Sequence, residues 1–137
     1  MNTDGDFRQA MAKPAGARRH AGQRADLSGR AAEERVTRAY LDKGARLLET
    51  RWRGEGGEID LIFGMGDLLI FVEVKKARSI DAAIRSLRPT QMRRIHAAAA
   101  EYLAQTPQGQ LSDVRFDLAA MDGAGRVEVI ENAFGHF

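Results

Sequence analysis

Two acids and a lysine are expected to lie together on a predicted hairpin. Asp60 belongs to the first of two apolar runs, and Glu73 and Lys75 belong to the second. Between the runs, Gly66 can take the positive φ that the first central position of a tight hairpin turn needs. With Gly66 and Asp67 as that turn, Asp60 lies directly opposite Glu73. Such a like-charge pair destabilises a sheet unless it is compensated, and a hard divalent cation such as Mg²⁺ would compensate it.

The same register separates apolar from polar side chains. One face is wholly apolar and is expected in the core: Ile59, Leu61, Phe63, Ile70, Val72 and Val74. The other face pairs Ile62 with Phe71, and Glu58 with Lys75. Lys75 shares this face with Glu73 and lies about 6.6 Å further along the strand, so its ammonium can reach a water or a phosphate beside the cation. The alternative is an exposed face of solvated charges. Ile62 and Phe71 argue against this alternative, because large apolar side chains need to be shielded from water.

The segments before the hairpin predict a tail, a helix and a strand. Residues 1–28 are rich in Gly, Ala and charged side chains and nearly free of large apolar ones, which predicts a disordered basic tail. Residues 31–43 predict a helix that Gly44 ends, and residues 46–52 predict a strand. The Gly-rich connection 53–57 could let a phosphate backbone come close.

The segments after the hairpin predict two helices and two strands. Residues 79–87 are expected to form a short helix or a loop, and residues 89–104 a longer helix with a proline in its first turn. Residues 114–119 and 127–130 predict strands. Three alternate side chains of the first of these strands should point inward: Val114, Phe116 and Leu118. The order of elements fits an α/β fold, with a mixed sheet flanked by helices in a single domain, residues 29–137.

An arginine-rich stretch follows the hairpin. The forked donors of arginine suit phosphate, and the position of the stretch directly after Lys75 favours contacts with a nucleic-acid backbone. The usual alternative is a solvated helix surface. With one arginine from before the hairpin, the candidate nucleic-acid-binding residues are Arg53, Arg78, Arg85, Arg88, Arg93 and Arg94.

Composition narrows the classes of protein. The chain has 137 residues, 44% hydrophobic and 29% charged, as expected for one ordinary globular domain. Its pI of about 9.3 permits nucleic-acid binding without demonstrating it. The lack of cysteine excludes disulfides, zinc-thiolate sites and cysteine nucleophiles. With no long apolar run and no apolar signal-peptide core, we expect no membrane association and a cytoplasmic location.

The two runs of the hairpin, residues 57–62 and 71–75, resemble the signature of the YraN-like family. These small bacterial proteins are predicted nucleases of the PD-(D/E)XK type, similar in outline to Holliday-junction resolvases. The resemblance extends from about Gly29 to Phe134. Further landmarks are residues 51–53, 115–117 and 131–134. The resemblance implies a restriction-endonuclease-like core with a five-stranded sheet. It also implies that Mg²⁺ or Mn²⁺ is held by Asp60, Glu73 and the Val74 carbonyl.

The resemblance also implies an acid on the first helix as a third carboxylate near the metal. Anchoring on Gly29 and Gly44 selects Glu33, whereas anchoring on Tyr40 selects Glu34. We choose Glu33, because it shares a helical face with the apolar residues Val36 and Tyr40. The competing interpretation is that both glutamates are solvated helix charges.

Gln91 on the long helix departs from the family pattern, in which this position is often lysine. Related nucleases use a polar residue on such a helix to contact the reacting phosphate or its water. Gln91 could do so by hydrogen bonding, but it supplies no positive charge. The alternative is a half-buried glutamine that makes only local hydrogen bonds.

Together these features predict a metal-dependent nuclease that hydrolyses phosphodiesters in DNA. Asp60 and Glu73, with the Val74 carbonyl and Glu33, would hold the metal, and Lys75 would orient or help to deprotonate the attacking water. A homodimer is attractive, because cutting both strands of a duplex or junction needs two sites. Two other hypotheses stay open. One is a non-catalytic module that binds DNA structures, and the other is a protein-interaction domain that docks through the hairpin or a strand edge.

Overall fold

The computed structural model describes the backbone of residues 16–109 and 112–135, and side chains from Gly29 onward in these ranges. The elements, in chain order, are α1 (Gly16–Asp42), β1 (Arg46–Arg53), β2 (Glu58–Met65), β3 (Leu68–Lys76), α2 (Ile80–Arg85), α3 (Pro89–Leu103), β4 (Asp113–Met121) and β5 (Val127–Ile130). The predicted α/β class with a mixed five-stranded sheet flanked by helices is confirmed.

The sheet has the strand order β1-β2-β3-β4-β5. All neighbouring strands are antiparallel except β3 and β4, which are parallel. A parallel connection needs a long crossover, and here it carries α2 and α3. This arrangement is consistent with a restriction-endonuclease-like core.

The hairpin of β2 and β3 has the predicted register over most of its length. Met65 pairs with Leu68, and the ladder continues inward to the pair of Leu61 and Val72. Gly66 has a φ of 61°, as the predicted turn requires. The alternation of apolar side chains and one glycine turn were therefore sufficient to place this part of the sheet.

Helices cover both faces of the sheet, so the molecule has two main apolar clusters. Under α1, Val36 and Tyr40 pack against Leu61, Phe63 and other residues of the predicted core face. On the opposite face, α3 packs against Ile62, Phe71, Phe116 and their neighbours. Ile62 and Phe71, which the predicted register placed on the face of the acids, are fully buried because α3 covers them.

The structure corrects two expectations about which residues face the cores. Ile59 packs in the cluster under α3 and not with Leu61 under α1. Val114 was expected to point inward, but it is 37% exposed, while Phe116 and Leu118 are buried as expected. The reason lies in the position of Val114, which pairs with Leu69 near the Gly66 end of the sheet, where cover is incomplete.

The first helix starts much earlier than the predicted boundary at residue 31. It begins at Gly16, so the part of the predicted tail over residues 16–28 is helical, and residues 1–15 lie outside the described part of the chain. Alanine, arginine and glutamine in this stretch are good helix formers, which explains the extension. The helix ends as predicted, with Gly44 at a φ of 95° and the Ala45 N–H donating to the Tyr40 carbonyl. Within the described residues, none of the helices is long and apolar enough to cross a membrane.

Candidate active site

The hairpin opens at Asp60. Regular pairing of β2 with β3 ends at Leu61 and Val72. Two residues further along β3, the N–H of Val74 donates to the Asp60 carboxylate at 2.8 Å. The predicted backbone pairs of residues 58–60 with residues 73–75 are therefore wrong. On the other side of β2, Arg51 has a φ of 49°, between its neighbours that pair with Leu61 and Ile59. Asp60 thus lies at an irregularity that involves both neighbouring strands.

Glu73 and Asp60 form a strongly coupled acidic pair. Glu73 is only 8% exposed. Burial, and next the charge of Asp60, raise the pKa of Glu73 to about 8, against the opposing effect of Lys75. Burial also raises the pKa of Asp60, opposed by the Val74 N–H and by a hydrogen bond with Glu73. The pair therefore favours sharing a proton or binding a cation over carrying two uncompensated negative charges.

Lys75 forms an ion pair with Glu73 of this acidic pair. Its Nζ lies 3.2 Å from Glu73 Oε2, and its side chain is 20% exposed. The sequence had placed Glu58 beside Lys75, but Glu58 instead forms an ion pair with Arg53, at 3.2 Å. The opening of the hairpin at Asp60 explains the change, because the cross-strand register that would join Glu58 to Lys75 is lost there.

Glu33 is the helix acid that meets the site. Its carboxylate accepts a hydrogen bond from Arg51 Nε at 3.0 Å. Burial, followed by the charge of Asp60, raises the pKa of Glu33 to about 7, and the charge of Arg51 opposes this rise. Glu34 is exposed. Of the two acids left open by the sequence, the structure brings Glu33 towards Asp60.

Gln91 lies at the start of α3 and is half-buried. Its side-chain oxygen accepts a hydrogen bond from the Arg88 backbone N–H at 3.3 Å. This contact satisfies a backbone donor next to the first turn of the helix, as a cap does. The local hydrogen bonding that the sequence left as an alternative is therefore present.

The Gly-rich connection between β1 and β2 packs against α3. Both oxygens of the Glu101 carboxylate accept backbone N–H groups of this loop, from Glu55 at 2.8 Å and from Gly56 at 2.6 Å. A Cβ on Gly57 would come within 3.1 Å of the Arg94 carbonyl. The glycines thus allow a close approach to α3, where a phosphate backbone had been expected, and Glu101 occupies the N–H groups that an anion would use. Sequence reasoning missed this role of Glu101.

The candidate arginines are spread over one end of the molecule. All six are exposed: Arg53, Arg78, Arg85, Arg88, Arg93 and Arg94. Arg94 is the one whose position can be tied to the site, because its Cβ lies beside Gly57, directly before β2. Arg53 is the last residue of β1, on the other side of the same loop, and it forms the ion pair with Glu58.

The remaining landmarks form a second buried group around Asp117, which we call the Asp117 cluster. Asp117 accepts hydrogen bonds from Tyr40 Oη at 2.7 Å, from the Asn132 N–H at 2.9 Å, and from two guanidinium nitrogens of Arg115 at 2.9 and 3.0 Å. Nearby, His96 stacks on Phe116 with ring centroids 3.9 Å apart, and its Nε2 lies 2.8 Å from the Phe134 carbonyl oxygen. These residues join β4 to the C-terminal turn and to α1 and α3, so their role is structural.

The donor set at Asp60 and Glu73 suits a hard divalent cation, although it is not a complete cage. Among the described residues, no group of three or more acids or histidines is close enough to form a ready-made metal site. Two adjacent carboxylates with raised pKa values are nevertheless the chemistry that such a cation compensates, and Mg²⁺ usually takes one or two carboxylates and keeps several waters. The residues present therefore fit a cation that completes its coordination with water or substrate.

The sheet topology and the acids at its opened hairpin define an α/β protein with a restriction-endonuclease-like core. The sequence model described as "Uncharacterised protein family UPF0102" matches residues 32–121. The chain belongs to this family, the YraN family, as the hairpin signature indicated.

Relatives extend this match over most of the chain. A UPF0102 protein of Ruegeria pomeroyi is 55% identical over 115 residues, which are 84% of this chain and 94% of that relative. A UPF0102 protein of Dinoroseobacter shibae is 53% identical over 116 residues, 85% of this chain and 87% of that relative. The family match over residues 32–121 includes the hairpin and the long helix α3.

Proposed function

We propose that this protein is a metal-dependent deoxyribonuclease that hydrolyses phosphodiester bonds at the opened hairpin. The observation that carries the proposal is the meeting of Asp60, Glu73 and Lys75 at the point where regular pairing of β2 with β3 ends. Folding gains little from placing a half-buried and a buried carboxylate beside each other with one lysine, whereas phosphodiester hydrolysis uses each of the three groups.

Asp60 and Glu73 would hold Mg²⁺ or Mn²⁺, with Glu33 and the Val74 carbonyl as further candidate donors. When bound, the ion would act as a Lewis acid that lowers the pKa of a coordinated water and offsets charge on the phosphate. The contact of Asp60 with the Val74 N–H fixes the direction of its carboxylate. Arg51 does the same for Glu33.

Lys75 would act on the attacking water and on the developing negative charge. Its contact with Glu73 holds the ammonium at the acids, and the largely buried side chain strengthens its electrostatic effect. Because Gln91 supplies no charge and bonds locally to Arg88, Lys75 is the cation within the motif on which catalysis would depend. Arg94, beside the loop before β2, is the first candidate for a contact with the DNA backbone.

The decisive experiment is cleavage of labelled single-stranded, duplex, flap and four-way-junction DNA with Mg²⁺, Mn²⁺ or EDTA. We expect metal-dependent cutting that falls at least about 100-fold in Glu73→Gln and in Lys75→Ala. Two matched controls should retain it: Glu128→Gln, an exposed acid on β5, and Lys76→Ala, the exposed neighbour of Lys75.

Three results would contradict the proposal in different ways. Cutting that survives both active-site substitutions would indicate another site or a contaminant. Salt-dependent DNA binding with no cutting on any substrate would favour a non-catalytic DNA-binding module on this fold. Absence of DNA binding at low salt would favour a protein-interaction domain.

A further inference from the structure

A cavity of about 300 Å³ opens between α1 and β1, next to the acids. It shares Glu33 and Arg51 with the candidate active site, and its floor includes Leu61, the neighbour of Asp60. The hairpin signature does not account for it. A cavity this close to the proposed site of hydrolysis is positioned to bind a part of the substrate.

The lining of the cavity combines apolar side chains with polar ones. Leu41, Leu47 and Leu61 supply the apolar part, and the hydroxyls of Thr37 and Thr50 lie among them. A flat apolar surface with a few hydrogen-bonding groups suits the face and edge of a nucleobase. The volume is at the lower end for ligand pockets, so it admits one base and excludes a stacked base pair.

The charges around the cavity favour an anion. Three arginines line it, Arg30, Arg38 and Arg51, against the two acids Glu33 and Glu34. Arg38 is exposed and makes no ion pair with the described part of the chain. A guanidinium can bind phosphate through its fork and can stack on a base, so one residue type serves both parts of a nucleotide.

We propose that this cavity binds the base of one unpaired nucleotide of the DNA strand that enters the active site. The inference rests on the proposed function and names its substrate class. DNA with a single-stranded end, flap or unpaired junction nucleotide would be preferred over an intact duplex. In an intact duplex the base is stacked and paired, and extracting it requires these interactions to be broken.

The test measures binding without cleavage. A short fluorescein-labelled oligothymidylate is titrated with protein in EDTA at constant low salt, and anisotropy is recorded for wild type, Thr37→Phe and Arg38→Gln. Thr37→Phe fills the cavity, and Arg38→Gln removes an exposed charge without touching the core. We expect roughly tenfold weaker binding in each, since the stacking of a single base changes affinity by about an order of magnitude. Lys43→Gln, which removes an exposed charge just beyond α1, is the control and should bind like wild type.

The outcomes separate this inference from the proposed nuclease activity. Oligothymidylate binding that is unchanged in both Thr37→Phe and Arg38→Gln would overturn the base pocket, even if Glu73→Gln abolishes cutting. Equal affinity for thymidine monophosphate and for the oligonucleotide would also overturn it, because the cavity would then hold a free nucleotide. Pocket-dependent strand binding without any cleavage would support the pocket and contradict the nuclease.

Discussion

Two buried groups of acids lie under the same helix, and they differ in how their charge is compensated. Tyr40 of α1 donates to Asp117, and about 10 Å earlier along the helix Glu33 lies near Asp60, the partner of Glu73. Asp117 is fully buried, yet it has a bidentate arginine, a hydroxyl and a backbone N–H as partners. Asp60 and Glu73 are close to one lysine and to each other.

The difference separates a carboxylate that stabilises the fold from carboxylates that are available for chemistry. The Asp117 cluster supplies all of its compensating charge from within the chain, so it needs nothing from solution. The Asp60 pair lacks such compensation, and its raised pKa values record the deficit. A buried acid therefore indicates a function only after its partners have been examined.

The largest effect that distinguishes the two groups comes from the same substitution in each. Asp117→Asn should lower the free energy of unfolding by about 3 kcal/mol, because it leaves Arg115 without its counter-charge and sets an amide against several donors. Asp60→Asn should leave the free energy of unfolding unchanged or raise it. The amide oxygen still accepts the hydrogen bond from the Val74 N–H, and the repulsion with Glu73 is removed. Urea unfolding in EDTA measures both. Equal losses would show that the two clusters do not differ as described.

The sequence predicted one of these groups well and the other poorly. Asp60, Glu73 and Lys75 lie on two adjacent strands joined by a short turn, so alternation and the Gly66 turn nearly suffice to bring them together. Asp117 is 77 residues from Tyr40. Their contact depends on the parallel pairing of β3 with β4, which no local pattern reveals.

The details of the candidate site could not be predicted from local sequence patterns either. The opening of the hairpin depends on two features. The Asp60 carboxylate, instead of a backbone carbonyl of β2, accepts the hydrogen bond from the Val74 N–H, and the backbone of Arg51 is left-handed. The loop before β2 looked available for phosphate because of its glycines. Its N–H groups are taken by Glu101, which is 46 and 45 residues away in the chain.

The second prediction concerns pH and the metal-free protein. The folded-state pKa values of Glu73 and Glu33 are raised to about 8 and about 7 from an ordinary 4.5. Between pH 4.5 and 8 the folded protein therefore binds protons that the unfolded chain has released, and stability falls as pH rises. We expect a loss on the order of a few kcal/mol from pH 5 to pH 8 in EDTA, measured by urea unfolding.

A matched variant identifies the source of this pH dependence. Glu73→Gln removes the more strongly shifted group, so its unfolding free energy should vary much less over the same pH range. Above pH 7, Mg²⁺ or Mn²⁺ should raise the unfolding free energy of the wild-type protein again, and it should have little effect on that of Glu73→Gln. If the stability of the wild-type protein instead rises with pH in EDTA, the negative charges of Asp60 and Glu73 are compensated within the folded chain, and the prediction is wrong.

The smallest effect tests whether the Asp117 cluster is independent of the site. Tyr40→Phe removes only the hydroxyl that donates to Asp117 at 2.7 Å and keeps the stacking on Phe63, whose ring centroid lies 4.3 Å away. Asp117 keeps Arg115 and the Asn132 N–H, so we expect a loss of about 1 kcal/mol in unfolding free energy. DNA cleavage well below the unfolding temperature should stay within about twofold of wild type, since Tyr40 contacts neither Asp60 nor Glu73 in our assignment. A large loss of cleavage with full stability would instead mean that α1 transmits the state of Asp117 to Glu33, and the two groups of acids would then be one functional unit.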